Sequence, residues 1–386
     1  MSKKKVFYVL SGAIFAVGVI LTILILTFGI NLNSRAYLDD KDVPEQTESV
    51  ELKPIATGIS LNSDTYLDVG DDPEKIEVAE VKQVTTGGGY RLSTVYNIPN
   101  WSPNGKYFVG VKKGKTVFFN ENGEKIKELN FYPRDWSPDS KKIICEGMWL
   151  IDLESGKKKK VIEGKGYNPA FHPSGDRVIY HSKDGLSIVD INTGEIETFI
   201  NAPEDNFSHI WYVSDDKIFY SKRKRKLSSE FFLYRYNSIT KEERKIYSYE
   251  VIAPVYLLTP KGEIVIRSGH DPKSGDTIIT DQDGKIISKI KSFLGGDWRA
   301  RWVADFIDFS PNGKLLLYIE DEFNREEAPV KGDLYIYSID GKKKKRITNT
   351  EDEVESEAKW SPNGDKIIFS DYYTHNIFLM TISKKQ

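Results

Sequence analysis

The chain has 386 residues, of which 39% are hydrophobic and 12% aromatic, so it can bury a large core. Its formal net charge of −2 provides no overall field for nucleic acid or an anionic membrane surface, and we expect no nucleic-acid partner. The single cysteine, Cys145, excludes an intramolecular disulfide and a cysteine metal cluster. Packing must therefore hold the fold together.

The first predicted element is a transmembrane helix over residues 6–30, preceded by a short cytoplasmic tail, residues 1–5. The 6–30 segment is uncharged and rich in Ile, Leu, Val and Phe, and about 20 such residues in a helix cross a bilayer. Lys3, Lys4 and Lys5 favour a cytoplasmic N-terminus, so the rest of the chain is predicted to be extracytoplasmic. The alternative is a cleaved signal peptide, but the apolar run exceeds the usual length of about 7–15 residues. The pattern predicts a single-pass signal-anchor at the cell membrane.

Residues 31–75 have the composition of a stalk. The segment is polar and acidic, contains three scattered prolines and shows little hydrophobic periodicity. It predicts a mostly flexible, acidic connection, with a short strand around residues 59–69.

One repeated unit dominates the remaining sequence. It begins with an aromatic or apolar residue, continues with Ser-Pro-Asn-Gly or a relative, and leads into an alternating strand. The copies occupy residues 101–105, 136–140, 171–175, 258–262, 309–313 and 360–364, with a degraded copy at 212–216.

The repeated motif has the chemistry of a tight hairpin turn. Pro fixes its own φ at the second corner, and Gly accepts the positive φ that follows a type I turn. The leading aromatic residue is expected to pack between neighbouring sheets. Each unit then supplies a third strand, a second polar turn such as Asn120 to Gly123, and a fourth short strand. Four antiparallel strands per unit predict the blade of a β-propeller.

The closest match to a known repeat lies in residues 331–370. The sequences Leu-Tyr-Ile-Tyr-Ser-Ile-Asp-Gly and Arg-Ile-Thr-Asn-Thr, with Trp-Ser-Pro-Asn-Gly following, resemble the WD-like repeat of TolB-like propellers. The resemblance covers residues 75–383 and implies an all-β propeller with a binding role. It transfers no catalytic residue. The chain departs from TolB itself, which has six blades and a separate α/β domain.

The two ends of the repeat region are predicted to share one blade. The last copy contains three strands, and its open edge would be a pairing hazard. The alternating stretch 76–84 resembles a blade-ending strand, so we expect it to pair with residues 376–382. This pairing gives a seven-bladed propeller of four-stranded antiparallel blades over residues 76–386.

The strand order separates the connections onto two faces. The hairpin face carries the turns between strands one and two and between strands three and four; the connection face carries the links between strands two and three and between blades. All the long insertions fall on the connection face, at 221–230, 268–276, 293–305 and 320–332. A scaffold that elaborates one face favours binding there, although loops also tolerate insertions by drift.

The candidate ligand-binding residues lie in these long connections. They are Lys222, Arg223, Lys224, Arg225 and Lys226, then Trp298, Arg299 and Arg301, with His270 and Glu320. Arg and Trp are favoured at binding hot spots, whereas a solvated loop tip is the alternative for the basic cluster. Two runs of four lysines, 157–160 and 342–345, are assigned to hairpin-face turns, where they would be solvated or meet anionic headgroups.

No catalytic machinery, metal site or cofactor is predicted. The four histidines assigned to the connection face (His181, His209, His270 and His375) come from different blades. The Asp-Gln-Asp-Gly run at 281–284 lacks the distal Glu of a calcium loop. A hydrolase domain would need a G-x-S-x-G elbow, which is missing. The sequence favours a membrane-anchored binding protein for protein or peptide partners at the cell envelope. The alternatives are a sensor or assembly subunit of an envelope complex, and a propeller lyase, glycosidase or glycan binder.

Overall fold

Alternating apolar and polar residues form short antiparallel strands throughout the part of the chain that the computed structural model describes. That part comprises residues 67–92, 100–202, 207–214, 216–223, 230–250, 255–258, 263–267, 277–290, 303–323, 329–339, 342–350 and 353–385. The predicted transmembrane helix at 6–30 and the predicted stalk as far as residue 66 lie outside it. Within the described residues, no helix combines the length and the apolar character needed to cross a bilayer.

The strands form seven four-stranded antiparallel sheets, which are the blades of the predicted propeller. Blade 1 contains β2 (Tyr90–Arg91), β3 (Tyr107–Lys112), β4 (Lys115–Asn120) and β5 (Lys125–Leu129); blade 2 contains β6 (Pro133–Trp136), β7 (Lys142–Cys145), β8 (Trp149–Asp152) and β9 (Lys158–Lys160); blade 3 contains β10 (Tyr167–Phe171), β11 (Arg177–Ser182), β12 (Gly185–Asp190) and β13 (Ile196–Asn201); blade 4 contains β14 (Phe207–Ser214), β15 (Lys217–Arg223), β16 (Glu230–Asn237) and β17 (Glu243–Glu250).

The remaining blades follow the same order. Blade 5 contains β18 (Val255–Leu258), β19 (Ile264–Arg267), β20 (Thr277–Thr280) and β21 (Ile286–Ile290); blade 6 contains β22 (Val303–Phe309), β23 (Leu315–Phe323), β24 (Pro329–Ser338) and β25 (Lys344–Arg346); blade 7 contains β26 (Glu355–Trp360), β27 (Lys366–Asp371), β28 (Ile377–Lys384) and β1 (Ile76–Gln83). Two short 3-10 turns, Pro73–Lys75 and Glu146–Met148, accompany the strands.

Ring closure occurs in blade 7, as the sequence predicts. Strand β1 pairs antiparallel with β28, with Ile76 opposite Lys384 and Gln83 opposite Phe378. The first strand of the domain therefore hydrogen-bonds to the last, and the prediction for residues 76–84 is confirmed.

The repeated motif forms the predicted hairpin turn. In blade 1 the Gly105 amide donates to the Ser102 carbonyl at 2.8 Å, and the Ser102 amide donates to the Tyr107 carbonyl at 2.8 Å. Gly105 has a φ of +68°, in the region that glycine enters without strain. Ser140 adopts φ +61° at the corresponding corner of blade 2, so the turn survives without glycine.

Apolar side chains fill the space between adjacent blades. The described residues contain seven buried clusters, and each joins two neighbouring blades of the ring. Trp101, Trp136, Phe171, Phe309 and Trp360, the leading aromatic residues of five motifs, all lie in these clusters. The predicted packing of these residues between sheets is confirmed.

Two half-buried carboxylates add polar links between blades. Asp135 of blade 2 accepts a hydrogen bond from the Phe171 amide of blade 3 at 2.7 Å, and Asp308 of blade 6 accepts one from the Trp360 amide of blade 7 at 2.9 Å. Burial raises the pKa of Asp135 to about 7, although two backbone amides favour its ionised form. Each Asp directly precedes the aromatic residue of its own motif.

Residues 67–75, which the sequence analysis places in the stalk, contact the propeller on its hairpin face. The Leu67 amide donates to the Asn363 carbonyl at 2.8 Å, and Asn312 Nδ2 donates to Asp68 Oδ1 at 2.9 Å. The segment thus crosses the hairpins of blades 7 and 6 before it enters β1.

Candidate binding face

The hairpin face is closely packed at the described turns. The Asn104 amide of blade 1 donates to Ser140 Oγ of blade 2 at 3.1 Å, so neighbouring turns bond to each other. At Gly364 in blade 7, a β-carbon would lie 2.6 Å from the Leu67 carbonyl oxygen. These contacts use the polar groups of the turns to hold the fold.

A shallow, solvent-open cleft lies on this face between the hairpins of blades 2 and 3. Its walls include Pro138, Asp139, Ser174 and Asp176. Asp139 Oδ1 accepts from Ser137 Oγ at 2.6 Å, and Asp176 accepts from Ser174 Oγ, so both carboxylates brace their own turns.

Two predicted binding residues of the connection face are described, at the end of strand β15. Lys222 Nζ lies 4.8 Å from the centre of the Tyr234 ring, and the Arg223 guanidinium carbon lies 5.0 Å from that of Phe231. Cation–π contacts of this kind attract a charged group to the face of an aromatic ring. Lys224, Arg225, Lys226, His270, Trp298, Arg299 and Arg301 lie outside the described residues.

Glu320, the remaining predicted ligand residue, is bound within blade 6. Its carboxylate accepts hydrogen bonds from the Tyr337 hydroxyl and from Lys344 Nζ, the latter at 2.8 Å. It lies on β23, two blades away from Lys222 and Arg223 on β15, so the structure does not bring these predicted residues together.

A buried polar cluster at the junction of blades 6 and 7 was not found from the sequence. Asp333 is 5% exposed and pairs with Arg346 Nη2 at 2.6 Å, while Glu355 accepts from Thr350 Oγ1 at 2.9 Å. Burial, with a smaller contribution from Asp333, raises the pKa of Glu355 to about 7. With 1% of its surface exposed, Glu355 has no access to a substrate and acts within the interface.

An aromatic group surrounds His181 where β10 and β11 reach the connection face. The ring centre of His181 lies 5.0 Å from that of Phe207 and 6.1 Å from that of Tyr167, which is 40% exposed. Burial lowers the pKa of His181 and favours the neutral imidazole. Among the described residues, no group of His, Cys, Asp and Glu side chains is arranged to hold a metal ion.

The two lysine runs lie only in part at the predicted turns, because their later members form the outer strands β9 and β25. In blade 2, Lys160 pairs with Trp149 across β8 and β9, close to the connection face. Lys158 Nζ lies 5.6 Å from the ring centres of both Trp149 and Phe131. This basic–aromatic edge was not predicted from the sequence, although the sequence contains a Trp at the start of one strand and a lysine run on the next.

The fold defines the chain as a seven-bladed β-propeller of four-stranded antiparallel blades. It is similar to the β-propeller domain of Cps50 (Swd1) from Myceliophteria thermophila, with 14% identity, a TM-score of 0.53, and coverage of 80% of this chain and 100% of that one. It is also similar to an oligogalacturonate lyase in complex with manganese, with 13% identity, a TM-score of 0.58, and coverage of 80% and 95%.

An oligogalacturonate lyase from Vibrio parahaemolyticus is similar as well, with 13% identity, a TM-score of 0.53, and coverage of 79% and 96%. At these identities the likeness shows the fold alone. No protein-family model and no curated protein sequence matches the chain.

Proposed function

We propose that this chain is a membrane-anchored binding protein that presents its propeller outside the cytoplasm to a protein or peptide partner. The anchor is the uncharged segment 6–30, with Lys3, Lys4 and Lys5 on its cytoplasmic side. The partner meets the connection face, which carries the long insertions.

The observation that carries the proposal is the difference between the two faces. Hairpin-face groups bond to one another and, at blades 6 and 7, to residues 67–72. On the connection face, Lys222 and Arg223 lie over aromatic rings at the start of a basic run. Aromatic and arginine side chains supply a large share of binding energy at protein interfaces.

A cross-linking pull-down from cells that express the full chain tests the proposal. We expect specific protein partners, and we expect Lys222→Glu with Arg223→Glu to reduce their capture about tenfold by charge repulsion. The matched control is Lys106→Glu with Lys141→Glu, which reverses two charges on the hairpin face and should leave capture unchanged. Equal capture by both double variants would contradict the assignment of the binding face.

A second candidate function is that of a carbohydrate-active enzyme or glycan binder, favoured by the likeness of fold to two oligogalacturonate lyases. Incubation of the purified full chain with a glycan panel tests this alternative. Turnover that is lost on substitution of carboxylates on the inner strands would support it over the binding role.

A further inference from the structure

Blades 2 and 6 carry equivalent basic outer strands. The Asp152 amide donates to the Lys157 carbonyl in blade 2, and the Ser338 amide donates to the Lys343 carbonyl in blade 6, both at 2.9 Å. The residues that follow pair with the third strand in the same register. Residues 157–160 of blade 2 therefore correspond one by one to residues 343–346 of blade 6.

In blade 6, carboxylates neutralise three of these four cations. Lys343 pairs with Asp72 at 2.9 Å, Lys344 with Glu320 at 2.8 Å, and Arg346 with Asp333 at 2.6 Å. Lys345, the fourth, donates to the carbonyl of Ile76 at 2.6 Å.

In blade 2, the corresponding cations have no carboxylate partner among the residues that the structure describes. Lys159 matches Lys345, since it donates to the Ile191 carbonyl at 2.9 Å. Lys157, Lys158 and Lys160 form no ion pair with any residue in the described part of the chain. The turn Glu146–Met148 joins β7 to β8, and its one acidic residue, Glu146, pairs with Arg134 at 3.0 Å.

Blade 6 also shows which kind of segment binds to the lysines of such a strand. The acidic segment around Asp72 lies against β25, and its 3-10 turn Pro73–Lys75 packs there. Its carboxylate reaches Lys343, while its backbone carbonyls at Glu74 and Ile76 receive Lys345 Nζ at 3.4 and 2.6 Å. A short acidic peptide is thus the natural partner of this strand within the same molecule.

We propose that the outer strand β9 of blade 2 is a docking surface for an acidic peptide segment of a partner protein. Lys157, Lys158 and Lys160 bind its carboxylates, and Trp149 and Phe131 give apolar contact beside them. The inference rests on the proposed binding role but uses residues separate from Lys222 and Arg223.

The geometry favours an extended peptide. Lys158 and Lys160 are two residues apart on one strand, a spacing of roughly 6.6 Å that matches alternate side chains of an extended chain. β9 is the last strand of its sheet, so its outer edge is unpaired within the described residues. Lysines on an edge strand also discourage association between strands of different molecules. Measuring both peptide binding and self-association of the β9 variant separates that role from peptide binding.

The test is to pan a random twelve-residue peptide display library against the full chain in nanodiscs. We expect the recovered peptides to be several-fold enriched in Asp and Glu, with affinity that weakens as salt rises. Lys158→Glu with Lys160→Glu should abolish this enrichment, whereas Lys158→Arg with Lys160→Arg should retain it.

The matched control is Lys241→Glu with Lys245→Glu, which makes the same charge change at blade 4. Lys245, like Lys158, sits over an aromatic ring, with Nζ 4.7 Å from the centre of Phe232. This control should keep the acidic enrichment. Recovery of peptides without an acidic excess, or equal recovery by the β9 variant, would overturn the proposal, and so would binding of oligogalacturonate or anionic vesicles with no peptide recovered.

The outcome is distinguishable from failure of the proposed function. Partner capture that depends on Lys222 and Arg223, together with no acidic enrichment at β9, would leave the binding role standing and remove this surface. Association of the β9 variant into larger species without loss of peptide binding would assign Lys158 and Lys160 to edge protection.

Discussion

Blades 2 and 6 show how neighbours outside a strand decide what its charges do. Residues 157–160 and 343–346 have almost the same sequence and the same register. In blade 6 the cations meet Glu320, Asp333 and Asp72, whereas in blade 2 they meet the rings of Trp149 and Phe131. The same local sequence therefore forms ion pairs that stabilise the fold in blade 6. In blade 2 its lysines lie beside aromatic rings, without an ion pair among the described residues.

The largest expected effect is a difference in stability between alanine substitutions at the equivalent residues Arg346 and Lys160. Arg346→Ala leaves the carboxylate of Asp333 buried without its cation, and we expect a loss of about 3 kcal/mol in the free energy of unfolding. Lys160→Ala removes an exposed side chain and should change it by less than about 0.5 kcal/mol. Denaturant titration of both variants measures the difference, and equal losses would contradict the comparison.

The second largest expected effect is a pH dependence of the free energy of unfolding, caused by Glu355 at the junction of blades 6 and 7. The folded-state pKa of Glu355 is about 7 against an ordinary value of 4.5, so the folded protein retains a proton that the unfolded chain releases. Stability should therefore fall as pH rises from about 4.5 to 7, by up to about 3 kcal/mol, and then level off.

Glu355→Gln should flatten this part of the profile, because a neutral amide replaces the titrating group. Asp135 has a raised pKa as well, so the quantity to compare is the difference between wild type and variant over the pH range. Unfolding midpoints measured from pH 4 to pH 8 provide it. Parallel profiles for the two proteins would show that Glu355 does not titrate in this range.

The smallest expected effect is that of a substitution at Asp72, which would make blade 6 resemble blade 2. Asp72→Asn removes the carboxylate partner of Lys343 in an exposed pair, so the free energy of unfolding should change little. It should also create a second, weaker site for acidic peptides on β25. Counting bound acidic peptide per chain by calorimetry measures the change, and an unchanged count would show that the cations of blade 6 stay covered by Glu320 and Asp333.

The sequence predicts the fold well because its signals are local. The hairpin motif states its own turn geometry, and the prediction that residues 76–84 pair beside the last strand is confirmed by β1 against β28. The candidate site is less accessible to such reasoning. Glu320 stays a predicted ligand residue, and its carboxylate accepts hydrogen bonds from Lys344 and Tyr337, contacts that depend on how three strands align.

The interacting residues that were not predicted from the sequence lie far apart along the chain. Asp333 and Glu355 are 22 positions apart and belong to different blades, so their mutual influence exists only once the ring has formed. Asp72 and Lys343 are 271 residues apart and meet because the N-terminal segment crosses blade 6. Neither of these two interactions produces a periodic pattern in the sequence from which it could be predicted.

The sequence by itself determined the blade, the number of repeats and the way the ring closes, because turn chemistry and strand alternation act over a few neighbouring residues. Only the tertiary structure decided which cations are neutralised and which remain available. That outcome depends on distances between blades, and electrostatic interactions follow those distances and the burial of each group rather than separation along the chain.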